Sequence, residues 1–293
     1  MTFISNTIFA NVILMKNAIK RLTAKLTDLR LRAKALQNRV GRVPVYGAAF
    51  VVGSLVAITF VVIGRESAPD FREFEAGDER KQAFFAYFLP LIDERNEELM
   101  ALRENLLELN AKRNDDVGQL SFFERRHITT LANIYEIKDF SLDDPAGWDT
   151  LLRRVDVLPP SLALAQAANE SAWGTSRFAR EGNNFYGQWC YVKGCGIVPA
   201  LRDEEAVHEV AGFDSARESV EGYMRNLNYH SAYAQLRSIR ESLRDRDEPI
   251  TGLKVAKGLQ AYSERGEAYI EELSLMIRFN DLDEHDAVIN NRQ

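Results

Sequence analysis

The pattern of apolar and polar positions changes character several times along the chain. Residues 1–42 scatter apolar residues among basic ones, and "VPVYGAAFVVGSLVAITFVVIG", residues 43–64, then runs for 22 residues without a charge. From 65 to 117 the text turns charged and helical, with Leu99, Leu102, Leu106 and Leu109 at 3-4-3 spacing between Glu and Arg. Pro90 falls inside this stretch and predicts a bend or break into two helices. Helical periodicity continues through "LSFFERRHITTLANIYEI" and "DDPAGWDTLLRRVD". "LPPSLALAQAANESAWGTSRFA" predicts a further helix, with Pro159-Pro160 at its start, an Ala-rich face for close packing, and Gly174 as terminator. Between Gly182 and Phe213 the period is lost to Gly, Asn and aromatics, followed by the β-like runs "GIVPAL" and "AVHEVAGF". Helices resume after Asp214 or Ser215, either of which can act as N-cap, and continue through "ITGLKVAKGLQAYSERGEAYIEELSLMIRFNDL". The fold class this predicts is mainly α, with one small loop-and-strand insertion.

Charge gives the apolar run a meaning. The net charge is -6, yet residues 1–42 carry nine Lys/Arg against the single acid Asp28, so the remainder sums to -14. A segment of 22 uncharged residues is long enough to span a hydrocarbon core of roughly 30 Å. Signal-peptide apolar regions are shorter, about 7–15 residues, so residues 43–64 read as an uncleaved anchor. The basic excess before it places the N-terminus in the cytoplasm and the rest beyond the membrane, as a single-pass protein. The basic arm is then explained by topology and anionic lipid, with no need of nucleic acid.

Cysteine usage points the same way. Cys190 and Cys195 are the only two, in "CYVKGC", and in a translocated domain they read as a small disulfide-closed loop, with free thiols as the alternative. A zinc site would need further Cys or His at ligand spacing, and none is near. Neither metal nor cofactor is expected.

Several familiar chemistries are excluded. There is no G-x-S-x-G, Walker loop, G-x-G-x-x-G or H-E-x-x-H, and His127, His208, His230 and His285 are scattered. Carboxylates are left as the chemical groups. Glu170 falls near a predicted helix C-terminus, where the macrodipole opposes negative charge, among Ala167, Ala168, Ala172 and Trp173, which oppose it by desolvation. Both raise its pKa, as a general acid requires. Trp173, Tyr186, Trp189 and Tyr191 could stack on sugar, and Asn183, Asn184 and Gln188 could hydrogen-bond to it. A raised-pKa Glu beside such groups suits glycoside cleavage.

The segment "AQAANESAWGTSRFA…NNFYG" resembles the glucosaminidase family of peptidoglycan hydrolases. Together with the anchor, "WCYVKGCGIVP", "HEV", "NLNYHSAYAQLR" and "LQAYSERG", it is similar to the Bax-type membrane-anchored subgroup. The resemblance covers roughly Gly118 to Leu282. It implies a lysozyme-like α domain with a small β-lobe, and hydrolysis of the β-1,4 bond after N-acetylglucosamine in glycan strands. Glu170 matches the family's catalytic acid and Tyr262 the tyrosine of its Tyr-Ala-Thr-Asp motif, which orients substrate or water. Here that motif reads "YSERG", so Arg265 stands where the family has Asp. A second carboxylate is expected from the β-lobe, from Glu204, Glu205 or Glu209, with Glu205 preferred because it precedes the second β-like run. Tyr233, in "HSAYAQLR", joins the substrate-binding candidates. Domains are expected at 1–42 (cytoplasmic arm), 43–64 (anchor), 65–117 (membrane-proximal helices), 118–286 (catalytic) and 287–293 (tail). A lytic transglycosylase and an inactive wall-binding scaffold are the competing readings.

Overall fold

The computed structural model describes residues 67–116, 119–199 and 208–290. The arm 1–42 and the apolar run 43–64 lie outside the described residues. Among the described residues, no helix is long and apolar enough to cross a membrane.

Ser67 to Phe74 enters along the surface of the domain and drops Phe71 into its core through a short 3-10 turn, Phe71–Glu73. Helix α1 then runs without a break from Asp78 to Asp115, 38 residues with Pro90 inside. This corrects the expectation of two helices. The proline removes the hydrogen bond that its own N–H would have made to Ala86, and its ring crowds that carbonyl. Both residues are exposed, so water can take the freed carbonyl. Meanwhile Phe84, Phe88, Ile92 and Leu99, on either side of Pro90, are buried in one core. Helix α2, Phe122–Ile134, starts on a capping box between Ser121 and Glu124. Helix α3, Pro145–Arg154, has Pro145 in its first turn and the Asp144 carboxylate accepting from the Ala146 and Gly147 amides.

Helix α4, Pro160–Glu170, is the hub, and every residue from Pro160 to Ala168 is buried. A helix buried all round must satisfy its free N-terminal amides internally. Asp286 does this from a distant turn: one oxygen accepts from the Ser161 amide, the other from the Ser161 hydroxyl and the Gly252 amide. Helix α5 is Arg177–Gly182. The β-lobe comes next as β1 (Trp189–Cys190), β2 (Gly196–Ile197) and β3 (Glu209–Ala211), antiparallel in the order β1-β3-β2. Trp189 pairs with Val210 and Gly196 with Ala211. Helices α6 (Ala216–Tyr229), α7 (Ala234–Asp245), α8 (Gly252–Val255), α9 (Glu267–Phe279) and α10 (Ala287–Asn290) complete the domain. Ser215 caps α6 through the Glu218 amide.

Two hydrophobic cores result. The larger joins α1 to α4, α6, α8 and α9, and the smaller packs Leu106 and Leu109 of α1 against Ile128, Trp148 and Leu151. The 3-4-3 leucine stripe is therefore spent inside the chain. Beside α4, the buried carboxylate of Asp156 gathers Arg240 at 3.2 Å, Arg244 at 2.5 Å and Arg103 at 3.8 Å, tying α7 and α1 to the segment before α4.

Candidate active site

Glu170 is the last residue of α4, and directly after it the backbone makes an unusual reversal. Ala172, Trp173 and Gly174 all have positive φ, at 50°, 59° and 75°. Left-handed backbone costs about 1–2 kcal/mol for a residue with a Cβ. The turn is held by the Trp173 amide on the Ala168 carbonyl, and by the Ser171 hydroxyl, which bonds to the Ala167 carbonyl and accepts from the Gly174 amide. Glycine is required at 174, because a Cβ there would lie 2.2 Å from the Phe71 ring. Strained backbone kept at a helix end beside a candidate acid is a feature of functional sites.

The Glu170 carboxyl is largely buried. Its Oε1 accepts from the Tyr269 hydroxyl at 2.8 Å and from the Asn169 amide at 3.3 Å. Tyr269 in turn accepts from Gln166 Nε2 at 2.9 Å, and Gln166 Oε1 accepts from the Tyr223 hydroxyl at 2.6 Å. This chain of bonds orients the carboxyl from α9 and α6. Oε2 faces the backbone of Gly187, where a Cβ would stand 3.4 Å away. Burial pushes the Glu170 pKa above the ordinary carboxylate range. The bonds from Tyr269 and Asn169 oppose that rise in part, the charge of Glu272 adds to it, and that of Arg265 subtracts. The cause foreseen from apolar neighbours, desolvation, is thus the dominant one.

Tyr262 stands beside this carboxyl without bonding to it. Its hydroxyl donates to the Tyr186 carbonyl at 2.8 Å, and its ring stacks on Tyr269 at 5.6 Å and 4°. Tyr233 lies 5.8 Å from the Tyr262 ring, and its phenol pKa is raised by burial and by the field of Glu170. The structure thus brings together Glu170, Tyr262 and Tyr233.

Three substrate-binding candidates are placed differently from expectation. Asn184 is 1% exposed and its amide is consumed locally. Nδ2 donates to the Gln188 and Ala211 carbonyls, while Oδ1 accepts from the Tyr186 and Gln188 amides. It staples the turn to β3 and has nothing left for sugar. Tyr186 is also 1% exposed, stacked on Tyr223 at 3.9 Å. Its contribution to the site is a backbone carbonyl. Trp173 is turned away by the left-handed backbone onto α1, 5.8 Å from Phe84 and 5.3 Å from Phe85, with Lys81 over its face. Trp189, by contrast, is 55% exposed and stacks on His208, and Tyr191 is exposed beside it.

Cys190 and Cys195 form a disulfide, with Cα atoms 6.2 Å apart. Glu209 is committed to that loop, accepting from the Gly194 amide at 3.0 Å and the Gly196 amide at 2.9 Å, so it is not a spare acid. Glu204 and the preferred Glu205 lie outside the described residues. Sequence reasoning missed Gln166, Tyr223, Tyr269, Glu272 and Gly187. Gln166 alone carried a signal, lying four residues before Glu170 on the same helical face.

Residues 147–282 match the glucosaminidase family model, described as mannosyl-glycoprotein endo-beta-N-acetylglucosaminidase. Protein bax of Escherichia coli (strain K12) is 35% identical over 214 residues, covering 73% of this chain and 74% of that protein. Among solved structures, the catalytic domain of the autolysin Auto from Listeria monocytogenes matches at 21% identity and a TM-score of 0.33, covering 60% of this chain and 97% of that one.

Proposed function

Since the chain belongs to the glucosaminidase family and is a glycoside hydrolase, we propose that it hydrolyses the β-1,4 bond after N-acetylglucosamine in peptidoglycan, with Glu170 as general acid. The observation that carries this reading is the state of Glu170: a largely buried carboxyl at a helix end, oriented by Tyr269, with its pKa raised by desolvation. Such a group holds a proton at pH values where a solvated glutamate has lost it, and can deliver it to the glycosidic oxygen as the bond breaks. Tyr262, 5.6 Å from Tyr269 in parallel stacking, is suited to orient substrate or the attacking water. Glu205 is the proposed second carboxylate. It would act as base in an inverting mechanism, which needs carboxyls about 6.5–9.5 Å apart; assistance by the substrate's N-acetyl group would need no base. Exposed Trp189 and Tyr191 offer apolar faces for sugar rings.

We further propose that residues 43–64 anchor the protein in the inner membrane with this domain in the periplasm. The disulfide supports an oxidising compartment.

The test is digestion of purified peptidoglycan followed by mass spectrometry of the released muropeptides. Reducing N-acetylglucosamine ends are expected, with a loss of about 10²–10⁴-fold in Glu170→Gln. Anhydro-muramyl ends would make the enzyme a transglycosylase. No release by the wild type at any pH would leave a wall-binding scaffold, and a Glu170→Gln variant as fast as wild type would remove the assignment of the acid.

A further inference from the structure

After Tyr262 the chain reads Ser263, Glu264, Arg265, Gly266, and it is Arg265 that occupies the place of the family's acidic residue. The structure shows what the replacement does. Residues 262–266 form a tight loop: the Gly266 amide bonds to the Ser263 carbonyl, and Gly266 takes a φ of 51° at the start of α9. From this loop Arg265 Nη1 reaches Glu272 Oε2 at 2.6 Å. Glu272 comes three residues after Tyr269 and so shares its face of α9, one turn further on. The ion pair therefore joins the loop that carries Tyr262 to the helix that carries Tyr269.

These contacts close a ring around the acid. Glu272 and Tyr269 share a helix face, and Tyr269 bonds to Glu170 Oε1. Glu170 Oε2 faces Gly187, while the Tyr186 carbonyl accepts from Tyr262, whose loop returns to Arg265. We propose that Arg265 and Glu272 are a positioning pair for Glu170, fixing the Tyr262 loop against α9 and setting two opposite charges beside the acid. The proposal rests on Glu170 being the general acid.

Stability is a poor explanation for the pair. Its side chains are 57% and 38% exposed, and ion pairs so open to water contribute little to folding. Its effect on Glu170 has a definite sign. Glu272 favours the protonated carboxyl and Arg265 the ionised one. Among the described residues, the other groups facing Glu170 are Asn169 from α4, Tyr269 from α9, Tyr223 from α6, Tyr233 from the turn after α6, and Tyr262 from the loop. The phenols among them have pKa values raised by burial and stay neutral where the acid titrates.

The pH profile of kcat/KM on peptidoglycan, measured with the full-length chain, tests this, because its alkaline limb reports the acid of the free enzyme. Glu272→Gln removes a like charge and leaves Arg265 unpaired, so the limb moves to lower pH. Arg265→Gln leaves Glu272 unpaired, so it moves to higher pH. Arg265→Lys should return the limb to its wild-type position. Loss of a merely structural contact would lower activity in both variants without opposite shifts, so limbs that move together or stay in place overturn the proposal. Glu170→Gln run alongside separates the two failures. An active Glu170→Gln removes the acid assignment itself, whereas an inactive one with unshifted limbs in the pair variants removes only the pair.

Discussion

At the scale of single residues, the proposed chemistry turns on how the Glu170 carboxyl is held. Tyr269 donates to Glu170 Oε1 at 2.8 Å while accepting from Gln166. A hydrogen bond to the charged form lowers a carboxyl pKa, and burial wins over it here. Tyr269→Phe removes that bond and leaves the burial, so the folded pKa of Glu170 rises further. A general acid works while protonated and fails as pH climbs through its pKa, so the alkaline limb should move up by roughly one unit. The variant should also lose about 1–3 kcal/mol of stability, because Gln166 is left with an unpaired buried amide. Denaturant titration and pH–rate measurements on one preparation check both; a limb that moves down refutes the role given to Tyr269. Glu170 and Tyr262 could be singled out as candidates from the sequence because their motifs are local. Asn184 and Trp173 were misread for a physical reason: residue type said they could meet sugar, but only the backbone decides where a side chain points. Asn184 spends its four hydrogen-bonding positions on the turn, and positive φ at Ala172 and Trp173 sends the indole to α1.

At the scale of elements, α1 shows how tertiary packing overrides a local rule. Pro90 removes one solvent-side bond, whereas Phe84, Phe88, Ile92 and Leu99 are each at most 1% exposed in the larger core. Burying each contributes about 1.5–3 kcal/mol, which outweighs the roughly 3 kcal/mol penalty of an interior proline. Together these four approach the whole stability of a typical domain, about 5–15 kcal/mol. A chain lacking residues 67–117 should therefore show no cooperative unfolding transition and should bind a hydrophobic dye, although the family match spans only 147–282. Cooperative melting together with wild-type activity in that truncation would refute the dependence. The strands show the opposite case. Runs of two or three residues carry too little periodicity to fix register, and the Cys190–Cys195 bridge with the Glu209 contacts supplies it.

At the scale of the whole molecule, the basic arm and the uncharged run predict the orientation of everything after them. In cells, a membrane-impermeant thiol reagent should label Cys190 and Cys195 only after reduction, and only once the outer membrane is permeabilised. Labelling without reduction, or only after the inner membrane is broken, would refute the proposed periplasmic placement. The sequence by itself determined what is local: the helical class, a helix start at Asp214 or Ser215, the small strand insertion, and Glu170 at the end of an apolar helix. Spacing and composition encode these because each depends on neighbours within a few residues. Only the tertiary structure decided how the site is assembled. Glu170 meets Tyr269 across 99 residues, and Tyr262 meets Tyr186 across 76. Such contacts come from helices packed around α4, and no window along the chain contains both partners.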